Sequence, residues 1–493
     1  MEVSLGQQVA ALLEYVAWTI LWNKYFAVMF LCIGLYLTIG TRFFQIRRFG
    51  DIIYNTIGSI FHGKTSNDED SKKARLSSYA AFATALGSTV GNGNIAGVAS
   101  AVAIGGPGAI FWMWIAALFG MSTKMAEIVL AQTYKQKSGD GLPRGSAAYY
   151  IQEGLVKERG WKWCKILAFI FTAGMLSAFY FGPGPYVVAE SVQSAFKLSS
   201  TGAIIFSLIY VALHYIIILG GIRRIVNFAE KMVPFMVIAY FLIALYFMVR
   251  DIPATIEAFK SIFYYAFNPT AAVGGFAGVG VMNTIQIGVA RSVYSNEAGW
   301  GSSPIIHASV DVDHPCRQGL WGAFEVFMDT IVVCTISGLL VVITGVWQTG
   351  QGGAGSVGEA LSSVMGPAGG IALAFFIFVF SLTTSTGWYA YLESLVDFCV
   401  QNKPASVRKK YVNFIRFTGP SVGLCFTMFF FYHGTVPSIV WIMLDIQAAI
   451  PVYANVIALV LLSPVVFRKV KEFETNYLDP EKTARKAAKL SAK

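Results

Sequence analysis

Residues Thr84–Val98 read T-A-L-G-S-T-V-G-N-G-N-I-A-G-V, placing four glycines and two asparagines inside a segment otherwise apolar enough to cross a membrane. Each interior glycine costs a helix about 1 kcal/mol relative to alanine, and lipid offers no water to a freed N–H or C=O. Such a break survives only where protein buries it, or where it lines a cavity that uses its polar groups. A second polar island, Ser381, Thr383, Thr384, Ser385 and Thr386, interrupts another apolar run. One serine or threonine normally bonds its own i−4 carbonyl, but a cluster of them facing a broken helix makes a set of hard oxygen ligands. Carbonyls and hydroxyls together suit sodium without a full carboxylate; a larger cage of the same oxygens suits potassium.

The elements that must position these groups follow from composition. The 493-residue chain is 55% apolar, 15% aromatic and 13% charged, against about 25% charged residues in soluble domains, so it reads as an all-α polytopic membrane protein. Windows of about 20 apolar residues fall near 26–44, 78–104, 109–134, 164–196, 202–220, 231–250, 258–294, 318–346, 368–400, 411–431 and 436–467, predicting eleven spans. The net charge of +10 comes from Lys and Arg in alternate connections (Arg47, Arg48, Lys72; Lys135, Arg144; Arg223, Arg224; Arg317; Arg408, Lys409; Arg468). That is the positive-inside pattern and not a nucleic-acid face. It places the N-terminus outside, the C-terminus in the cytoplasm, and the protein in the plasma membrane, the inner one in a Gram-negative cell. No cleavable signal is visible, and Gln7–Trp22 reads as an interfacial helix. The six cysteines lack ligand spacing and read as reduced packing residues.

A second glycine-rich stretch, Asn268–Gly280 (N-P-T-A-A-V-G-G-F-A-G-V-G), lies five spans after the first. Interrupted segments at matching positions of two halves point to a transporter's central site; glycines that merely allow close helix packing are the alternative. Spans two to six and seven to eleven have opposite orientation, giving a 5+5 inverted repeat. The expected organisation is 1–45 (interfacial helix and extra span), 76–250 (first repeat), 251–467 (second repeat) and 468–493 (cytoplasmic tail).

Charge inside a span costs roughly 2.5–3.5 kcal/mol on insertion scales and so marks function or pairing. Lys124 and Glu127, at i and i+3, are expected to pair. Glu325 and Asp329, at i and i+4, suggest a gate network or proton coupling. Glu190, Glu393 and Asp445 stand alone in sequence. The five histidines lack metal spacing, and His307 and His314 read as structural hydrogen-bonders. S-N-E-A-G-W-G (295–301) has no strand context or His-Asp set for a nucleophile, so enzyme chemistry is excluded.

Two long runs carry a resemblance: G-N-G-N-I-A-G-V-A-S-A-V-A-I-G-G-P-G-A-I-F-W-M-W (Gly91–Trp114) and S-N-E-A-G-W-G-S-S-P-I-I-H-A (Ser295–Ala308), continuing to Thr330. In these the chain resembles the alanine or glycine:sodium symporters, whose core is similar to the leucine-transporter fold of the amino acid-polyamine-organocation superfamily. The resemblance implies a sodium site made by the carbonyls of Gly87, Val90 and Phe380 with the side chains of Thr383 and Thr384. It implies an amino-acid carboxylate held near Gly91, Asn92, Gly93 and Asn94, where the second half-helix presents its positive end. The ammonium would meet Thr89 and the backbone of Gly274, Gly275 and Phe276, with Thr384, Phe181 and Trp388 around the pocket. Expected partners are thus the amino acid, the sodium ion as coupling ion and the bilayer, with no other cofactor and no nucleic acid.

Asn92 stands where the family usually has Thr, and Val188, in the run Phe181–Val188, stands where a Gln is expected. The resemblance implies a small neutral amino acid as cargo, alanine- or glycine-like, and these departures keep glutamine as the alternative. Proton coupling through Glu325, Asp329 or Glu190 is the alternative mechanism, and a channel or sensor the remote one.

Overall fold

Short polar side chains set many of the helix starts. Asn23 accepts from the N–H of Phe26, Ser77 from Ala80, Ser199 from Gly202 and Asp251 from Ala254, each satisfying an amide that has no partner inside the helix. The computed structural model describes residues 5–61, 76–137, 143–268, 280–350, 352–433 and 438–479, with the side chains of 5–7 and 438–441 set aside. The longer helices are α1 (Leu5–Glu14), α2 (Lys24–Gly40), α3 (Ser78–Thr89), α4 (Val98–Gly105), α5 (Gly108–Thr133), α6 (Lys165–Tyr180), α7 (Gly184–Phe196), α8 (Ser200–Ile218) and α9 (Gly221–Arg250). They continue as α10 (Ile252–Phe267), α11 (Val281–Asn296), α12 (Pro315–Val326), α13 (Thr335–Ile343), α14 (Ala354–Met365), α15 (Pro367–Cys399), α16 (Ala405–His433) and α17 (Ser438–Phe473). Among the described residues nine helical stretches are long and apolar enough to cross a membrane.

Helix α5 forms the centre. It is buried on every side from Gly120 to Gln132, with α12, α11, α10 and α2 packed around it. Lipid tails are as apolar as a leucine, so close backbone approach rather than water exclusion must hold such helices together. Small residues allow it: a Cβ on Gly322 of α12 would collide with Ile128, and one on Gly288 of α11 would lie 2.7 Å from the Ala109 carbonyl. At the periphery, α16 leaves Phe414, Phe417, Phe429 and Tyr432 exposed, as a lipid-facing helix should.

The first expected break is present. Helix α3 stops at Thr89, Val90 is extended (φ −70°, ψ 98°), and the chain re-enters helix through a wide π-helical turn, Gly93–Gly97, leading to α4. Residues 269–279, which hold nearly all of the second expected break, lie outside the described residues; α10 and α11 flank them. A different interruption is described between α11 and the short helix Pro304–His307. There Glu297 (φ 56°), Gly299 (φ 85°) and Gly301 (φ 83°) take left-handed backbone, which glycine adopts freely and a side chain resists.

The expected interfacial segment is not a free surface anchor. After α1 the chain makes a wide turn, Tyr15–Leu21; the buried Trp22 indole then donates to the Asp445 carbonyl at 2.7 Å, and Tyr453 donates to the Leu21 carbonyl at 2.6 Å.

Candidate functional site

Helices α3 and α15 meet through missing side chains. A Cβ on Gly387 would strike Ser88, and one on Gly91 would stand 2.6 Å from Thr384 Oγ1. The last carbonyls of a helix lack intrahelical donors, and here one has found α15: Thr384 Oγ1 donates to the Gly87 carbonyl at 3.3 Å. Ser381 Oγ lies 3.2 Å from Asn92 Oδ1. Thr383 bonds back to the carbonyls of Phe380 (2.9 Å) and Val379 (3.2 Å), on the side where a Cβ on Gly87 would approach it to 3.5 Å. Val90 is fully buried, and its N–H closes α3 onto Leu86 at 2.7 Å.

Gly87, Gly91, Thr383 and Thr384 therefore come together, with Phe380 joined through Thr383. The remaining hydroxyls of the island diverge: Ser385 meets the Tyr210 hydroxyl at 2.6 Å, and Thr386 bonds back within α15.

Thr89, Gly91, Asn92, Gly93, Thr384 and Trp388 line one cavity of about 40 Å³. Asn94 lies outside it. Fully buried, it accepts the Gly91 N–H through Oδ1 at 2.8 Å and donates to Asp329 Oδ1 at 2.6 Å, so it braces the break and occupies the one amide at Gly91 expected to be free. The amides of Asn92 and Gly93 open the second half-helix, where intrahelical acceptors are missing. Phe181 also lies outside the cavity, packing on Tyr180 and Phe426 with ring centroids 5.3 and 5.8 Å away. Gly274, Gly275 and Phe276 lie outside the described residues.

Residues not expected from sequence complete the wall, notably Tyr294 near the end of α11 and Glu297 and Trp300 from the second interruption. The available signal was S-N-E-A-G-W-G itself, an ionisable residue flanked by glycines in an apolar chain. Trp388 is wedged between the rings of Phe179 (5.3 Å) and Trp300 (5.8 Å), and its Nε1 donates to Glu297 Oε1 at 3.2 Å. Beyond Trp388 and Ser385 lies a second cavity, of about 30 Å³. Tyr294 borders both the central cavity and a much larger one, about 960 Å³, whose lining includes Glu190, Arg291 and Asp445. Arg291 bridges to Asp445 at 3.0 Å and lies over the rings of Trp18 and Tyr294.

Beneath the second interruption runs a buried charged network that corrects the expected pairing of Lys124 with Glu127. Lys124 Nζ bonds the Asn296 carbonyl (2.8 Å) and Glu325 (3.3 Å). Glu325 also accepts from Ser303 (2.7 Å) and lies 3.2 Å from His307 Nε2. Glu127 instead receives the amide of Asn455, which donates at 2.8 Å to the Gly299 carbonyl as well. Glu325 and Asp329 do not act as one pair. A wide turn at Phe327–Cys334 begins between them, and Asp329 is bound by Asn94, Ser295 (2.9 Å) and Thr330 (2.8 Å). Two of the three lone carboxylates have partners too: Asp445 pairs with Arg291, and Glu393 with Arg416 at 3.3 Å.

Comparison with known proteins gives a consistent result. The profile described as the sodium:alanine symporter family matches residues 7–487. The chain is 34% identical over 457 residues to the sodium/alanine symporter AgcS of Methanococcus maripaludis, covering 92% of this chain and 94% of that protein. It is 32% identical over 470 residues to the probable sodium/glutamine symporter GlnT of Bacillus subtilis, covering 95% and 91%. In fold it is similar to MhsT, solved in complex with L-phenylalanine, with a TM-score of 0.56 at 14% identity, covering 79% of this chain and 89% of that one.

Proposed function

The chain belongs to the sodium:alanine symporter family, as a multi-pass membrane transporter with a leucine-transporter-like fold and not an enzyme, and on that premise we propose that it carries a small neutral amino acid together with sodium by alternating access. The observation that carries this reading is the meeting of the Gly87 carbonyl with Thr384, beside Thr383, in a cavity that Asn92 and Gly93 also line. One wall supplies hard oxygens to a small cation; the adjoining half-helix start supplies N–H groups to a carboxylate. Sodium bound between α3 and α15 would fix the break in the form that receives the amino acid, which is positive coupling between two ligands.

The engagement of Glu325 with Lys124, and of Asp329 with Asn94, favours bracing roles for both over proton carriage. Nine apolar stretches together with two further interrupted segments, α3–α4 and α11 with Pro304–His307, support eleven crossings. The 5+5 inverted repeat over 76–250 and 251–467 fits that count. The basic connections support a plasma-membrane protein with its N-terminus outside and its C-terminus in the cytoplasm.

Uptake of radiolabelled L-alanine and glycine into proteoliposomes tests the reading. Uphill accumulation is expected to need an inward sodium gradient; accumulation that ignores sodium and follows a pH gradient would overturn it. Thr383→Ala combined with Thr384→Ala should raise half-saturating sodium by ten-fold or more, on the order of 1.4 kcal/mol. An unchanged sodium requirement in that double variant would remove the cation site from these residues.

A further inference from the structure

The lining of the central cavity is chemically lopsided. It offers donors from the first interruption and hydroxyls from α15, and among the described residues it has no basic side chain and one acidic one, Glu297. A carboxylate in so small and enclosed a space needs a cation. Lys124, the nearby buried amine, is held by Glu325 and the Asn296 carbonyl. Among the described residues no cationic side chain lies within ion-pair distance of Glu297.

The carboxylate is nevertheless firmly placed. Oε1 accepts the Trp388 indole at 3.2 Å and Oε2 accepts the Ser302 hydroxyl. An ionised carboxylate has about four acceptor sites, so two remain for a ligand. The backbone reinforces the aim: Glu297 terminates α11 in the left-handed region, φ 56°, with its N–H on the Val293 carbonyl at 2.9 Å. A side chain held there against its conformational preference is the kind of local strain that gathers at ligand sites.

From this we infer that Glu297 is the counter-ion of the substrate's α-ammonium group and the residue that makes the carrier demand a free amino group. The assignment rests on the amino-acid reading of the same cavity. It gives the two ends of a zwitterion separate receivers: backbone amides of the first interruption for the carboxylate, and a side chain of the second for the ammonium. It also explains why an anion is tolerated where the carrier must close around its cargo, since the cargo brings the missing charge.

The test uses the full chain in proteoliposomes, with sodium-driven L-[³H]alanine uptake measured for wild type and Glu297→Gln. Glutamine keeps the shape and can still accept from Trp388, but it removes the charge. The KM for alanine is expected to rise about 30-fold or more, the effect of removing one partner of a buried charge pair. Half-saturating sodium should move less than about three-fold on the same scale. Propionate, which is alanine without its amino group, should compete weakly and equally in both proteins.

A Glu297→Gln KM within about three-fold of wild type would overturn the assignment and leave the symport reading standing. So would an equal loss of alanine and propionate binding, which marks structural damage. Should the variant fail to fold, wild type alone decides: propionate competing as well as alanine overturns the assignment. A wild type that carries no amino acid on a sodium gradient defeats the symport reading and the assignment with it.

Discussion

The two interruptions that face the central cavity solve the same backbone problem with opposite chemistry. Val90–Gly93 is built from small and amide residues and is braced by the neutral side chain of Asn94, and Gly91, Asn92 and Gly93 line the cavity. Glu297–Ser303 bears a carboxylate and an indole, and is braced from below by Lys124, Glu325, His307 and Asn455. One break is polar through its backbone, the other through its side chains. On the proposed reading the backbone wall meets the cation and the carboxylate, whereas the side-chain wall meets the ammonium through Glu297 and the rest of the cargo through its aromatic rings.

The contrast predicts that the charged brace is the more fragile. Lys124→Met should strand Glu325 without its cation in the centre of the protein and cost about 3–5 kcal/mol, read as a large fall in folded yield and melting temperature in detergent. Pairing it with Glu325→Gln should recover a substantial part of that loss, because the uncompensated charge is gone. A single variant as stable as wild type would show that the network does not hold the second interruption. The first interruption should suffer less. Asn94→Ala removes the partner of the Gly91 amide and one donor to Asp329, with an expected cost of about 1–3 kcal/mol. Its signature should be functional as well: with Gly91 no longer pinned, half-saturating sodium and the alanine KM should rise together. A change in only one of them would mean that Asn94 does not set the geometry of both ligands.

The first interruption was legible in the sequence because its cause is local: glycine and asparagine inside an apolar run contradict helix and lipid at once. The one expected at Asn268–Gly280 lies almost wholly outside the described residues; the described interruption at Glu297–Ser303 was not legible. Its two glycines are outnumbered by residues compatible with helix, and its left-handed Glu297 depends on tertiary partners no local pattern reveals. The buried charges failed for the same reason. Lys124 has Glu127 one turn away, yet pairs with Glu325 some two hundred positions on. The i, i+4 face expected to unite Glu325 with Asp329 is undone by the wide turn at Phe327–Cys334. Hydroxyl clustering in α15 was visible, but which hydroxyls face α3 is decided by Gly91 and Gly387, the glycines that let the two helices close.

The smallest predicted effect probes the seam between the two interruptions. Trp388 belongs to neither: it stands on α15, lines the same cavity as Thr384, and donates to Glu297. Trp388→Phe keeps an aromatic wall against Phe179 and Trp300 while deleting the indole donor. Loss of one hydrogen bond to a charged acceptor should weaken alanine by about 1.5 kcal/mol, roughly ten-fold in KM, with half-saturating sodium unchanged. Trp388→Ala should in addition join the central cavity to the one beyond it and admit larger neutral amino acids, glutamine among them, as competitors. If Trp388→Phe instead shifts sodium affinity as strongly as alanine affinity, the two walls are not separable and the proposed division between a cation wall and an amino-group wall fails. If it shifts only alanine, the indole works through Glu297, and recognition of the amino group belongs to the second interruption.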